Sequence, residues 1–194
     1  MFGLPSTDDQ ALVACLGDSQ RTVAAYRALL RRGEDALSAI RAGLHHESTA
    51  VREGCCRLLD HLVDADSMDE LISMGDDPDA RVRISAVHAL ACDRCKGDTC
   101  APGADRVLEP ALRHLACDPD PHVRSMAAEL VGKFAHTDAR AVAVRDELDH
   151  KLAILLVKPG AMADSTALVT ARQNGSFTKV HEAFRTAARA RMPR

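Results

Sequence analysis

The sequence predicts an all-α chain, an α–α superhelix of stacked helix pairs, and three observations predict it. One is composition: of 194 residues 46% are apolar, yet four are Phe, one is Tyr and none is Trp. A core of Ala, Leu and Val suits closely packed helices, whereas a β-sandwich draws on aromatic and β-branched strands. Another is a repeated segment: "STAVREGCCRLLDHL" from Ser48, "DARVRISAVHALACD" from Asp79 and "DPHVRSMAAELVGKF" from Asp120 superimpose on a Val-Arg pair. The last is spacing. Apolar residues follow each Val at four, seven and eight places, which is the stripe of an amphipathic helix.

Taken in order, residues 1–33 are read as N-terminal cap helices, with Thr7 and Gln10 fitting a capping box that opens a helix ending near Gly17. Repeats occupy residues 34–157. In each, an upstream helix ("DALSAIRAGL", "SMDELISMG", "RVLEPALRHLA") precedes a Val-Arg helix. The predicted core rows are Val51, Cys55, Leu58 and Leu59; Val82, Ala86, Ala89 and Leu90; Val123, Ala127, Leu130 and Val131. Ser48, Asp79 and Asp120 stand three residues before the Val, where a side-chain oxygen can cap free N–H groups. Asp-Pro pairs at 77–78 and 118–119 stop the helices before them. The Val-to-Val spacing is 31 residues and then 41, so ten residues are inserted between the second and third units, in a loop at 92–105. Residues 158–194 read as a C-terminal cap, with Phe177, Val180, Phe184, Ala187 and Ala188 on one face and Lys179, Arg185 and Arg189 on the others.

The segments "DDPDARVRISAVHALA" and "CDPDPHVRSMAAELVG" resemble HEAT repeats, of the short bacterial type found in phycobilisome-lyase-like proteins. The resemblance covers residues 34–135 and extends to the segments on either side. It implies a right-handed α–α superhelix, a HEAT/armadillo-like solenoid, in one 1–194 domain. Such solenoids mostly serve as scaffolds and adaptors, so it also implies a non-catalytic protein. In this family an Asp five residues before the Val and the Arg just after the Val often form a ladder between neighbouring repeats. Asp77, Asp118, Arg83 and Arg124 match that pattern; the first unit has Arg52 but His46 at the Asp position.

Charge and motifs narrow the function classes. Residues 158–194 hold seven basic residues against two acidic ones, or +5, which leaves −8 for the first 157 residues of a chain with net charge −3. An acidic body with a basic tail lacks the continuous positive face of a nucleic-acid binder. The same acidity and the missing Trp argue against the HEAT-like alkylpurine DNA glycosylases. No run of 18 apolar residues and no signal peptide are found, so a cytoplasmic chain with no membrane role is expected. The His-Glu pairs in "LHHE" and "VHEA" resemble those of deoxyhypusine hydroxylase. That family places its dyads just after the Val-Arg, where this chain has Glu53-Gly54, Ile84-Ser85 and Ser125-Met126. No residue marks a bilin site for a lyase-like role, and no Gly-rich phosphate loop or H-E-x-x-H is present.

Seven cysteines in a reducing compartment are thiols or metal ligands before they are disulfides. Cys55 and Cys56 share register with core positions and, like Cys15, read as small buried thiols. The tract C-x2-C-x4-C, formed by Cys92, Cys95 and Cys100, fits zinc, since two thiolates from one tight turn can face one ion. A disulfide, a redox-responsive pair or plain thiols remain alternatives. The fourth ligand would be His88, one turn before Cys92, or His61, which holds the place of Cys92 one repeat earlier. Cys117 closes the next helix and is expected out of reach. The expected function is an adaptor that binds a protein or peptide in a shallow groove along the second helices, at Glu53, Arg57, Ser85, His88, Ser125 and Glu129. The alternative is a metal- or redox-responsive regulatory subunit.

Overall fold

The computed structural model describes residues 8–62, 64–92 and 102–147. Thr7, Cys95, Cys100 and the 158–194 segment lie outside them. The chain is an all-α solenoid of helix pairs, and among the described residues there is no strand. Its helices are α1 (Asp9–Ala14), α2 (Thr22–Arg32), α3 (Leu37–Gly43), α4 (Thr49–Leu62), α5 (Met68–Met74), α6 (Ala80–Ala91), α7 (Ala104–Cys117) and α8 (Pro121–Lys133). Two compact units divide at Ala127 and Ala128, inside α8.

In the first unit, α1 pairs with α2, α3 with α4 and α5 with α6; first helix then packs on first helix (α1 on α3) and second on second (α2 on α4, α4 on α6). Helix ends follow local signals, but the cap of α1 is Asp8; Thr7, expected to open that helix, lies outside the described residues. α1 is capped by Asp8, whose carboxylate accepts the Gln10 N–H at 3.2 Å, and it tightens through a 3₁₀ turn to Gly17. α2 stops at Gly33, whose φ of 59° is a left-handed conformation that costs glycine little. Asp79 caps α6 by accepting the Arg81 N–H at 2.9 Å, and Asp120 caps α8 by accepting the His122 N–H at 2.7 Å. α4 opens on the Ser48 carbonyl, which takes the N–H groups of Val51 and Arg52.

Every residue of the three predicted rows is buried, Val51, Val82 and Val123 completely. Small residues let the layers close up. A Cβ on Gly43 would lie 2.6 Å from both Cys55 Sγ and Val13 Cγ1, so α3 can approach α1 and α4 this closely only with glycine there. His114 is buried on α7, with Nδ1 3.4 Å from Asp118.

The ladder forms, and its register is one repeat forward. Arg52 of α4 holds Asp77 ahead of α6 with a two-pronged contact, Nε to Oδ2 at 2.7 Å and Nη2 to Oδ1 at 3.0 Å. Arg83 of α6 holds Asp118 ahead of α8 in the same way, both prongs at 2.9 Å. The third guanidinium nitrogen turns back on its own repeat. Nη1 of Arg52 donates to the carbonyls of His46 and Glu47, that of Arg83 to Asp77 and Pro78, and that of Arg124 to Asp118 and Pro119. Hydrogen bonds to Asp77 and Asp118 raise the pKa of Arg52 and Arg83 above the ordinary arginine value. Burial raises the pKa of Asp118, but the hydrogen bonds from Arg83 and the Asp120 N–H outweigh it and hold its carboxyl below the usual range.

In the second unit, residues 139–147 are helical and Asp138 caps their start, accepting the Arg140 N–H at 2.9 Å and pairing with its guanidinium. This repeats the Asp79–Ala80–Arg81 arrangement at the head of α6.

Candidate functional site

The repeat register sets side chains in rows across the second helices. Six places after the Val stand Arg57, His88 and Glu129; nine places after it Asp60, Ala91 and Gly132; ten places after it His61, Cys92 and Lys133. Positions three and four apart share a helix face, so on α4 and α6 these rows form one patch near the C-terminal ends.

Asp60 departs from its row. It is a buried carboxylate where the following repeats have buried Ala91 and Gly132. His88, exposed on α6, lies across from it with Nε2 3.8 Å from Oδ2. Cys92 ends α6 with its backbone N–H on the His88 carbonyl at 2.8 Å, and its chain then turns extended. One donor atom each from Asp60, His88 and Cys92 lies within 4.8 Å of the other two. Among the described residues these three gather in this way. The three donors close a triangle.

Of the five metal candidates from the sequence, Cys92 and His88 come together here, and Cys95 and Cys100 fall outside the described residues. His61 goes elsewhere. Its ring stands edge-on to Tyr26, with centroids 6.4 Å apart at 87°. Tyr26 in turn donates its hydroxyl to the Arg57 carbonyl at 3.1 Å and lies under the Arg57 guanidinium, 5.6 Å from the ring centre. Its sequence neighbour Asp60 completes the triangle instead. The signal that could have found it is an acid in a row of small buried residues. Cys117 is exposed at the end of α7, apart from the triangle.

The six partner-face candidates divide by exposure. Arg57 and His88 are open to solvent, whereas Glu53, Ser85, Ser125 and Glu129 are half-buried. Cys55 and Cys56 face inward beneath this surface, and burial pushes the Cys55 thiol up to about 12 and Cys56 higher still. They are packing groups, with little thiolate to offer at neutral pH.

Among the described residues no helix is long and apolar enough to cross a membrane. A family model of HEAT repeats matches residues 10–91, and a second, of a single HEAT repeat, matches residues 108–137. Neither takes in residues 92–107, where the cysteine tract lies. No curated protein matches the chain.

Proposed function

Because this chain is a HEAT-repeat protein, we propose that it is a non-catalytic adaptor that binds a protein or peptide segment along its second helices. HEAT repeats commonly mediate protein–protein contacts. Stacking them leaves a row of side chains on each second helix that the core does not use. The observation that supports the reading best is the run Tyr26, Arg57, His61 and His88, drawn from α2, α4 and α6. It offers one aromatic ring, a guanidinium and two imidazoles on neighbouring helices. Tyr and Arg are the residue types that most often anchor interfaces. The half-buried Glu53 and Ser85 flank the run with polar groups.

Site-specific photo-crosslinking in cells tests this. A crosslinking residue is placed singly at Arg57 or His88 on the second helices, and at Ser38 or Ala116 on exposed positions of the first helices. Adducts to one recurring protein from positions 57 and 88, with the position-88 adduct weakened by Arg57→Glu and none from Ser38 or Ala116, are expected. Equal labelling from both sets, or none from the second helices, would discard the reading.

A further inference from the structure

We propose that Asp60, His88 and Cys92 bind a single zinc ion, which ties the repeat of α3 and α4 to that of α5 and α6. The donor set is one carboxylate, one imidazole and one thiolate, a borderline-soft mixture that suits zinc over calcium or magnesium. Spacing agrees. Zinc–ligand lengths of roughly 2.0–2.3 Å put tetrahedral donors roughly 3.3–3.6 Å apart. The Asp60–His88 separation of 3.8 Å is too long for a hydrogen bond and within a few tenths of that value. The exposed His88 imidazole can make up the difference by a small rotation.

The setting argues the same way. An acid in the buried row that elsewhere holds Ala91 and Gly132 carries a desolvation cost, and a divalent ion is a partner that offsets such a cost. His88 and Cys92 stand one turn apart on one face, and Cys92 sits where the helix ends and the thiol can adjust. The ion would also complement the ladder. Arg52–Asp77 joins the same two repeats near the start of α4, and Asp60 lies eight residues further along, roughly 12 Å away at 1.5 Å per residue. The two repeats would then be fastened at both ends of their second helices. Nothing in this inference rests on the docking reading, since it is measured with no partner present.

The test is a titration of the full, metal-stripped chain with cobalt(II) as a spectroscopic probe, followed by displacement with zinc. The native chain is expected to take up one ion with a thiolate-to-cobalt charge-transfer band. Asp60→Asn keeps the side-chain shape, and His88→Gln alters an exposed residue, so both should fold, as circular dichroism would verify. Each should weaken binding at least about tenfold, since even outer-shell partners of a metal are worth ten- to a hundredfold. His61→Gln and Cys117→Ser should bind as the native chain does. The proposal is overturned if no thiolate band appears or if either Asp60→Asn or His88→Gln binds like the native chain. A tenfold loss in His61→Gln would overturn it equally.

Discussion

His46 shows that the ladder aspartate does two separable things. At the head of α6, Asp77 accepts the Asp79 N–H at 2.8 Å and also holds Arg52; before α8, Asp118 accepts the Asp120 N–H at 2.9 Å and holds Arg83. His46 keeps only the first role, with Nδ1 accepting the Ser48 N–H at 3.0 Å. A charge is not needed there, because the second helix of the preceding pair, α2, has no Val-Arg pair to reach forward. The turn is what all three positions share. Gly43 is the other residue whose identity the packing dictates. Adding one methyl in Gly43→Ala would drive it into Cys55 and Val13, and overpacking of that kind costs about 1–3 kcal/mol. Urea unfolding should show that loss, and Cys55→Ala in the same chain should recover part of it, because one of the two colliding atoms is gone.

Between elements, the buried ladder pairs matter and the exposed ones matter little. Arg41–Glu70 links α3 to α5, and Arg106–Asp69 and Arg113–Asp76 link α7 to the α5 region, all partly or largely in solvent. Such pairs contribute at most about 1 kcal/mol each. Arg83–Asp118 is different, with side chains 11% and 4% exposed. Removing one partner strands the other charge, so Arg83→Met should cost about 3–5 kcal/mol in urea unfolding. The pair Arg83→Met with Asp118→Leu should cost clearly less than the single change, because no charge is left buried. Acid should act through the same carboxyl. Asp118 stays ionised in the folded chain below the pH where an unfolded Asp takes up its proton, at about 3.9. Its contribution is therefore complete above about pH 4 and fades as the pH falls further.

For the whole molecule, sulfur in the core should set the alkaline limit. An unfolded cysteine loses its proton near about pH 8.5, whereas buried Cys55 holds its own to about 12 and Cys56 beyond that. Between those values the folded chain binds protons that the unfolded chain releases, so stability falls as the pH rises. Unfolding followed at pH 7.5 and pH 10 should show the decline. The double variant Cys55→Ala and Cys56→Val, which installs the residues that α6 carries at Ala86 and Val87, should flatten it. An unchanged slope in that variant would mean that other groups govern the alkaline limit. The repeats thus supply their own controls.

The inserted stretch, read as a loop over 92–105, has already given way to α7 at Ala104. The sequence by itself determined the helical class, the Val-Arg register and the stopping points at Asp-Pro and Gly. These follow from local rules: a 3.6-residue period, a cap within three residues, a proline that cannot continue a helix. It also paired His88 with Cys92, since one helical turn is a local distance. Tertiary structure alone decided which residue of α4 would meet that pair. Asp60 and His61 are adjacent in sequence but about 100° apart around the helix, and only the packing of α4 between α2 and α6 turns one toward Cys92 and the other toward Tyr26. The forward reach of Arg52 and Arg83 was settled in the same way. A periodic sequence says which side chains are equivalent, but the offset at which neighbouring layers meet is fixed by how their surfaces pack.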